Sequence, residues 1–178
     1  MCDKNCKKNK CNMFNKYKLL IKNFNLTYEE YKKIENEKKC YENPQSALIS
    51  ALTLLQKNRG WIDDNTISSV AKIFDVSISD VECLATFYSQ IFRKAVGKHI
   101  IRYCDSIVCF ITGYKDIENE IIRQLNIRPG QTTFDNRFTL LPVCCLGNCN
   151  KAPTIMIDDN VYNNLNFKDI KKLLEDYD

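Results

Sequence analysis

The sequence predicts a protein of the α+β or α/β class, in which an N-terminal helical bundle precedes a small mixed sheet with helices packed against it. Apolar residues recur at helical spacing through residues 27–92, and this spacing ends near Arg93 to Lys98. Strand-like stretches then alternate with helical ones, and two of the strands lead into close pairs of cysteines. The rest of the chain is therefore predicted to be a scaffold that brings the two cysteine pairs together.

The helices of the bundle are predicted mainly from their capping residues. Thr27-x-x-Glu30 is a capping-box pattern, which satisfies free backbone N–H groups at the start of a helix that is expected to end near Lys39. The second helix is predicted to lie between Asn43-Pro44, which signals its start, and Gly60, which signals its end. The third is predicted from an apolar face between Thr66 and Phe74, and the fourth is expected to start at Ser77-x-x-Asp80.

The C-terminal part is predicted to contain a strand, a helix, three further strands and a final helix. The strands are expected at residues 99–103, 137–141, 154–157 and 161–162, and the helices around residues 117–125 and 170–177. The predicted domains are a disordered tail rich in Lys and Asn (residues 1–26), the helical bundle (27–92) and the sheet domain (99–178).

Composition and charge narrow the location and the partners. The chain is 44% hydrophobic and 27% charged, with a net charge of +4, which is ordinary for a soluble globular protein. No apolar run approaches the roughly 18 residues that a membrane span needs, and the N-terminus lacks the apolar core of a secretory signal. We therefore expect a cytoplasmic protein.

The third and fourth predicted helices have the spacing of a helix-turn-helix DNA-binding motif, but their charge argues against that function. The stretch from Asp63 to Tyr88 contains several acids and a single base, Lys72. Phosphate binding requires Lys and Arg at such a surface. Packing within a bundle is the better interpretation, and no nucleic acid is expected as a partner.

The two cysteine pairs are Cys104-x4-Cys109 and Cys145-x3-Cys149. Ten cysteines in 178 residues are too few for a disulfide scaffold, so clustered cysteines indicate metal ligands or reactive thiols. Four thiolates suit an iron–sulfur cluster or zinc, and spacing alone leaves both open with a preference for the cluster. Gly147 is expected to take a positive φ angle that lets backbone N–H groups approach the sulfurs.

The remaining cysteines and the histidine are predicted to be structural or incidental. Cys144 is expected to be a small buried side chain, because it cannot bind a metal beside Cys145 without strain. Cys40 and Cys83 are expected to fill the core of the bundle, and His99 is expected to be structural. The others, Cys2, Cys6 and Cys11, lie in the predicted tail.

Several motifs resemble one known family. They are YCDSIVCF from Tyr103, LNIRPGQTT from Leu125 and FTLLPVCCLGNCNKAP from Phe138, and the likeness extends back through VECLATFYSQIF from Val81 and QKNRGW from Gln56. Together they are similar to the small iron–sulfur subunit, designated E, of bacterial NADH:quinone oxidoreductase, the respiratory complex I. The similarity covers residues 27–178 and includes both cysteine pairs and their order.

The resemblance implies a thioredoxin-like C-terminal domain that carries one [2Fe–2S] cluster and follows a helical domain. The implied ligands of the cluster are Cys104, Cys109, Cys145 and Cys149, and no catalytic residue is implied on this chain. The implied partners are a subunit that binds FMN and NADH and the other iron–sulfur subunits of the peripheral arm. Electrons are expected to pass between the flavin and this cluster, and the complex is expected to hold the chain at the inner membrane.

The helical bundle is expected to supply much of the interface with the flavin-binding partner, because the cluster domain is small. Aromatic residues are enriched at the cores of protein interfaces. Phe87, Tyr88 and Phe92 are therefore candidate anchors, although they could equally seal the bundle against the sheet.

Two alternatives remain open from the sequence. Soluble NAD(P)-linked hydrogenases and formate dehydrogenases use a similar subunit, so the chain is also compatible with one of these assemblies. From a different class, a zinc-stabilised binding module would use the same four cysteines.

Overall fold

The structure is a computed structural model that describes residues 25–177. The chain divides into two compact units between Ala95 and Val96. We keep 27–92 and 99–178 as proposed domain boundaries. The predictions for the tail, including its three cysteines, concern residues that lie almost wholly outside the described range.

Within the described residues, the first unit contains four α-helices. Their bounds are α1 Tyr28–Lys38, α2 Leu48–Arg59, α3 Asp64–Phe74 and α4 Ile78–Phe87, with a 3-10 turn at Pro44–Ala47 that leads into α2. The buried faces of these helices form one apolar core, which includes Ile34, Leu52, Ile67 and Val81.

The predicted caps of the helices are confirmed. The Glu30 N–H donates to Thr27 Oγ1 over 3.3 Å, and the Thr27 N–H donates to Glu30 Oε2 over 2.9 Å, which completes the capping box of α1. Helix α3 begins earlier than predicted because Asp63 caps it, accepting from the Thr66 N–H over 2.9 Å. Local hydrogen bonds between residues three apart therefore fix where these helices start.

A buried ion pair joins α1 to α2. Arg59 donates from Nε to Glu30 Oε1 over 3.0 Å and from Nη2 to Glu30 Oε2 over 2.7 Å. It also donates to the Asn25 carbonyl and to Thr66 Oγ1. The hydrogen bond from Arg59, together with bonds from Thr27, outweighs burial and lowers the pKa of Glu30 to about 2.

The second unit is a mixed four-stranded sheet with helices. The strands are β1 His99–Cys104, β2 Phe138–Val143, β3 Ile155–Ile157 and β4 Asn160–Tyr162, and the helices are α5 Ile107–Ile111, α6 Tyr114–Leu125 and α7 Ile170–Glu175. The sheet order is β2-β1-β3-β4, with β1 and β2 parallel and the other pairings antiparallel. The predicted mixed sheet is confirmed, and no helix among residues 25–177 is long and apolar enough to cross a membrane.

The parallel pairing of β1 and β2 positions the candidate site. Cys104, the last residue of β1, lies opposite Val143, the last residue of β2. Because parallel strands end at the same edge of a sheet, the loops that follow them leave from the same place. Side chains from one face of the strands, such as Ile101 and Leu140, form a core with Ile121 of α6. Helix α5 was not predicted from the sequence, and β2 extends two residues further than predicted.

Candidate metal centre

Cys104 and Cys109 form a buried inner pair. Cys104 ends β1, and Cys109 lies on α5, only five residues further along the chain. Both side chains are buried, and their thiols lie within hydrogen-bonding range of each other. The Ser106 hydroxyl lies 3.3 Å from Cys104 Sγ. Strand end and helix together therefore present two thiols at one point.

Cys145 and Cys149 form an exposed outer pair on the loop after β2. Their sulfur atoms are 3.9 Å apart. Gly147 has a φ of +73°, as predicted, and its N–H donates to Cys145 Sγ over 3.3 Å. A side chain at this φ is disfavoured, so glycine lets the loop turn its amide toward the sulfur.

The two pairs lie close enough to interact electrostatically. The charge of Cys149 raises the pKa of Cys109, and the charge of Cys104 raises the pKa of Cys149. The Cys104 N–H also donates to the carbonyl of Thr154 over 3.3 Å. Among residues 25–177, no group of three or more His, Cys, Asp or Glu side chains is arranged as a ready-made site for a metal ion. The chemistry of four thiols in two pairs fits a two-iron cluster, whose four cysteine ligands are shared between its irons.

A comparison with models of protein families gives a match over most of the chain. The family model of thioredoxin-like [2Fe–2S] ferredoxins matches residues 34–178. The chain belongs to the thioredoxin-like [2Fe–2S] ferredoxin family. The predicted fold class is thereby confirmed, and the donor set of two thiol pairs fits the cluster after which the family is named.

Relatives of this ferredoxin-family chain carry the name that the motifs suggested. The chain is 54% identical over 154 residues to the E subunit of NADH-quinone oxidoreductase from Salmonella typhimurium. The match covers 86% of this chain and 93% of the relative. The chain is 56% identical over 154 residues to the corresponding subunit of Buchnera aphidicola subsp. Acyrthosiphon pisum, covering 86% and 95% of the two chains. The resemblance to this family of complex I subunits is confirmed.

A solved structure shares the fold. The match is to the crystal structure of an NAD+-reducing [NiFe]-hydrogenase, with a TM-score of 0.64 and 24% identity. It covers 74% of this ferredoxin-family chain but only 22% of the hydrogenase chain. At this identity the likeness shows the fold alone.

The environment shifts the pKa values of three cysteines in this ferredoxin-family chain. Burial opposes ionisation of Cys104, but hydrogen bonds from the Ser106 hydroxyl and N–H, together with those from the Cys109 thiol and the Leu146 N–H, outweigh it and hold the pKa of Cys104 below its usual value. Burial raises the pKa of Cys109, and the hydrogen bond with Cys145 raises the pKa of Cys149. Metal ligands of this type are thiolates, so metal binding by the last two thiols would require loss of their protons, and such binding would strengthen with increasing pH.

Three predictions about the other cysteines are wrong. Cys144 is exposed, because the chain leaves the sheet directly after Val143. Cys40 is exposed in the turn after α1. Cys83 is exposed because the buried face of α4 is formed by Val81 and Ala85, and a residue midway between them faces away on a helix.

The structural role predicted for His99 is confirmed. Its Nδ1 lies 2.7 Å from Asp158 Oδ2, and the other carboxylate oxygen of Asp158 accepts from the Ile100 N–H over 2.9 Å. Sequence reasoning missed Ser106, although serine before a short apolar run is a helix N-cap signal. It also missed the hydrogen bond between Tyr103, the residue before Cys104, and Glu118.

Proposed function

We propose that this chain is the electron-transfer subunit of an NADH:quinone oxidoreductase. The observation that carries the proposal is the 54% identity to the Salmonella relative, which extends over 93% of that relative's length. We further propose that Cys104, Cys109, Cys145 and Cys149 hold its [2Fe–2S] cluster. When bound, such a cluster takes up and releases single electrons.

The residues around the four thiols would bind and orient the cluster. The inner pair lies in the protein core, where water is excluded, and the outer pair lies at the surface. Hydrogen bonds to ligand sulfurs influence the reduction potential of a cluster. The Gly147 N–H and the Ser106 hydroxyl are in position to supply them.

The oxidation of NADH is assigned to a partner subunit. A hydride carries two electrons, whereas a cluster accepts one, so a flavin must separate the pair. The sequence has neither a G-x-G-x-x-G fingerprint nor a P-loop. We therefore propose that the partner binds FMN and NADH, that other iron–sulfur subunits of the peripheral arm adjoin it, and that the complex holds this chain at the inner membrane.

Exposed apolar side chains support docking to such a partner. On α5, beside the inner pair, Ile107, Phe110 and Ile111 are 69%, 55% and 77% exposed. On the helical unit, Phe87 is 79% exposed and its ring packs against Tyr88 at 5.1 Å. Clustered exposed apolar residues mark interaction sites. We propose both groups as contacts with the flavin subunit.

Phe92 does not belong to either group. It was predicted as a third anchor beside Phe87 and Tyr88, but its side chain is buried at 9% exposure. Its backbone N–H and carbonyl are bonded within the helical unit, to the Gln56 side chain and the Ile62 N–H. A buried ring offers a partner little surface, so Phe92 is not proposed as an anchor.

We expect NADH to reduce this protein quickly only when the flavin subunit is present. Purified holoprotein is mixed with NADH, and bleaching of its visible absorption is followed. Bleaching should be negligible for the protein alone and rapid after the flavin subunit is added. Fast bleaching without a flavoprotein would contradict the assignment of NADH oxidation to a partner. Slow bleaching in the reconstituted mixture would contradict the electron-transfer function itself.

The apolar residues on α5 are expected to control that reconstitution. The variant Ile111→Ser should slow flavin-dependent bleaching at limiting partner concentration at least about fivefold, because removing an apolar anchor at an interface costs more than about 1 kcal/mol. The matched control is Phe167→Ser, which alters a 45% exposed aromatic residue elsewhere on the same unit. Equal rates for both variants, with unchanged absorption spectra, would exclude α5 from the interface.

A further inference from the structure

A buried polar contact joins β1 to α6 at the residue that precedes Cys104. Tyr103 precedes Cys104 on β1, and its hydroxyl donates to Glu118 Oε1 of α6 over 2.6 Å. The other oxygen of Glu118 accepts from Lys115 Nζ over 2.8 Å. Tyr103 and Glu118 are 4% and 8% exposed. A short hydrogen bond from a hydroxyl to a carboxylate in such a site is strong and directional.

The same group of side chains reaches the other inner cysteine. The ring of Tyr103 stacks on the ring of Tyr114, with centroids 5.9 Å apart and an interplanar angle of 22°. Tyr114 also contacts the ring of Phe110, which follows Cys109, at 6.2 Å. Both inner cysteines therefore have a sequence neighbour that is held by α6.

Side-chain contacts with α6 supplement the backbone bonds at both inner cysteines. The pairing of β1 with β3 ends at Tyr103, opposite Ile155, whereas Cys104 remains opposite Val143 of β2. Helix α5 has five residues, too few for a helix that is stable by itself. The contacts with α6 therefore add to the backbone pairing that orients Cys104, and they brace the short helix that carries Cys109.

We propose that Glu118 is a positioning residue of the metal centre. By fixing the Tyr103 hydroxyl, it sets the orientation of β1 at Cys104 and, through the stacked ring of Tyr114, the placement of α5 at Cys109. Packing alone does not explain why a carboxylate, that of Glu118, is buried here. A phenylalanine at position 103 would fill the same space as Tyr103 and would need no buried polar partner. The inference rests on the proposed ligand set.

The test uses electron paramagnetic resonance of the dithionite-reduced holoprotein, together with its midpoint potential. Tyr103→Phe removes only the hydroxyl, and Glu118→Leu removes its acceptor together with the exposed ion pair to Lys115. Both should shift the g-values in the same way and change the equilibrium constant for one-electron reduction at least threefold, about 28 mV. The double variant should match either single variant. Glu118→Gln keeps an acceptor oxygen and should restore the wild-type g-values.

The matched control is Glu120→Leu on the same helix. Glu120 is 9% exposed and bonds Arg123 and Gln124, which are residues of its own helix. Its loss should lower stability but leave the g-values unchanged. Wild-type spectra for both Tyr103→Phe and Glu118→Leu would overturn the positioning role, as would an equal shift in the control. The absence of any cluster signal from the purified wild-type protein would instead overturn the proposed [2Fe–2S] cluster.

Discussion

Replacing Cys104, Cys109, Cys145 or Cys149 singly with serine is expected to remove or alter the [2Fe–2S] cluster. A serine oxygen is a poor substitute for thiolate on iron, and each substitution leaves only one thiol where a pair of cysteines stood. Iron content should fall from about two atoms per chain toward zero. The rhombic electron paramagnetic resonance (EPR) signal of the reduced [2Fe–2S] centre should be lost or changed. The measurement requires anaerobic purification, an iron assay and EPR spectra of the reduced protein.

The other described cysteines supply the controls for this experiment. Cys144→Ser changes the nearest neighbour of the outer pair, and Cys40→Ser and Cys83→Ser change exposed thiols of the helical unit. All three variants should keep the full iron content and the wild-type EPR signal. If Cys144→Ser abolished the resonance while Cys145→Ser preserved it, the assignment within the outer loop would be wrong.

Arg59→Met is expected to destabilise the helical unit by about 3–5 kcal/mol, because it leaves the Glu30 carboxylate buried without its partner. The Glu30 side chain is 5% exposed, and that of Arg59 is 25% exposed. Urea unfolding followed by fluorescence measures the effect, since the single tryptophan, Trp61, lies in this unit. Glu35→Gln breaks the more exposed pair with Lys38 and should cost less than about 1 kcal/mol.

The pH dependence of this effect has a definite sign. Glu30 has a folded-state pKa of about 2 against an ordinary value of 4.5, so its contribution is present above pH 4.5 and is lost as the pH falls toward 2. That contribution is about 3 kcal/mol. The difference in stability between wild type and Arg59→Met should therefore narrow on acidification. A difference that stayed constant from pH 6 to pH 3 would show that Arg59 acts through packing rather than charge.

Features that depend on neighbouring residues could be predicted from the amino-acid sequence. The capping box at Thr27, the cap at Ser77 and the positive φ of Gly147 each involve groups within three residues of one another, so local chemistry specifies them. The sequence also contained the two cysteine pairs and their spacing. From these patterns the mixed sheet and the candidate metal centre could be predicted before the fold was known.

Contacts between residues far apart in the chain could not be predicted in this way. The parallel register of β1 with β2 joins residues about 40 positions apart and brings the two cysteine loops to one edge. The bonds between Arg59 and Glu30 and between Tyr103 and Glu118 cross from one element to another. The exposure of Cys83 and Cys144 follows from which face of a helix is covered and where a strand ends. Such pairings depend on packing in three dimensions, which hydrophobic spacing along one segment does not specify.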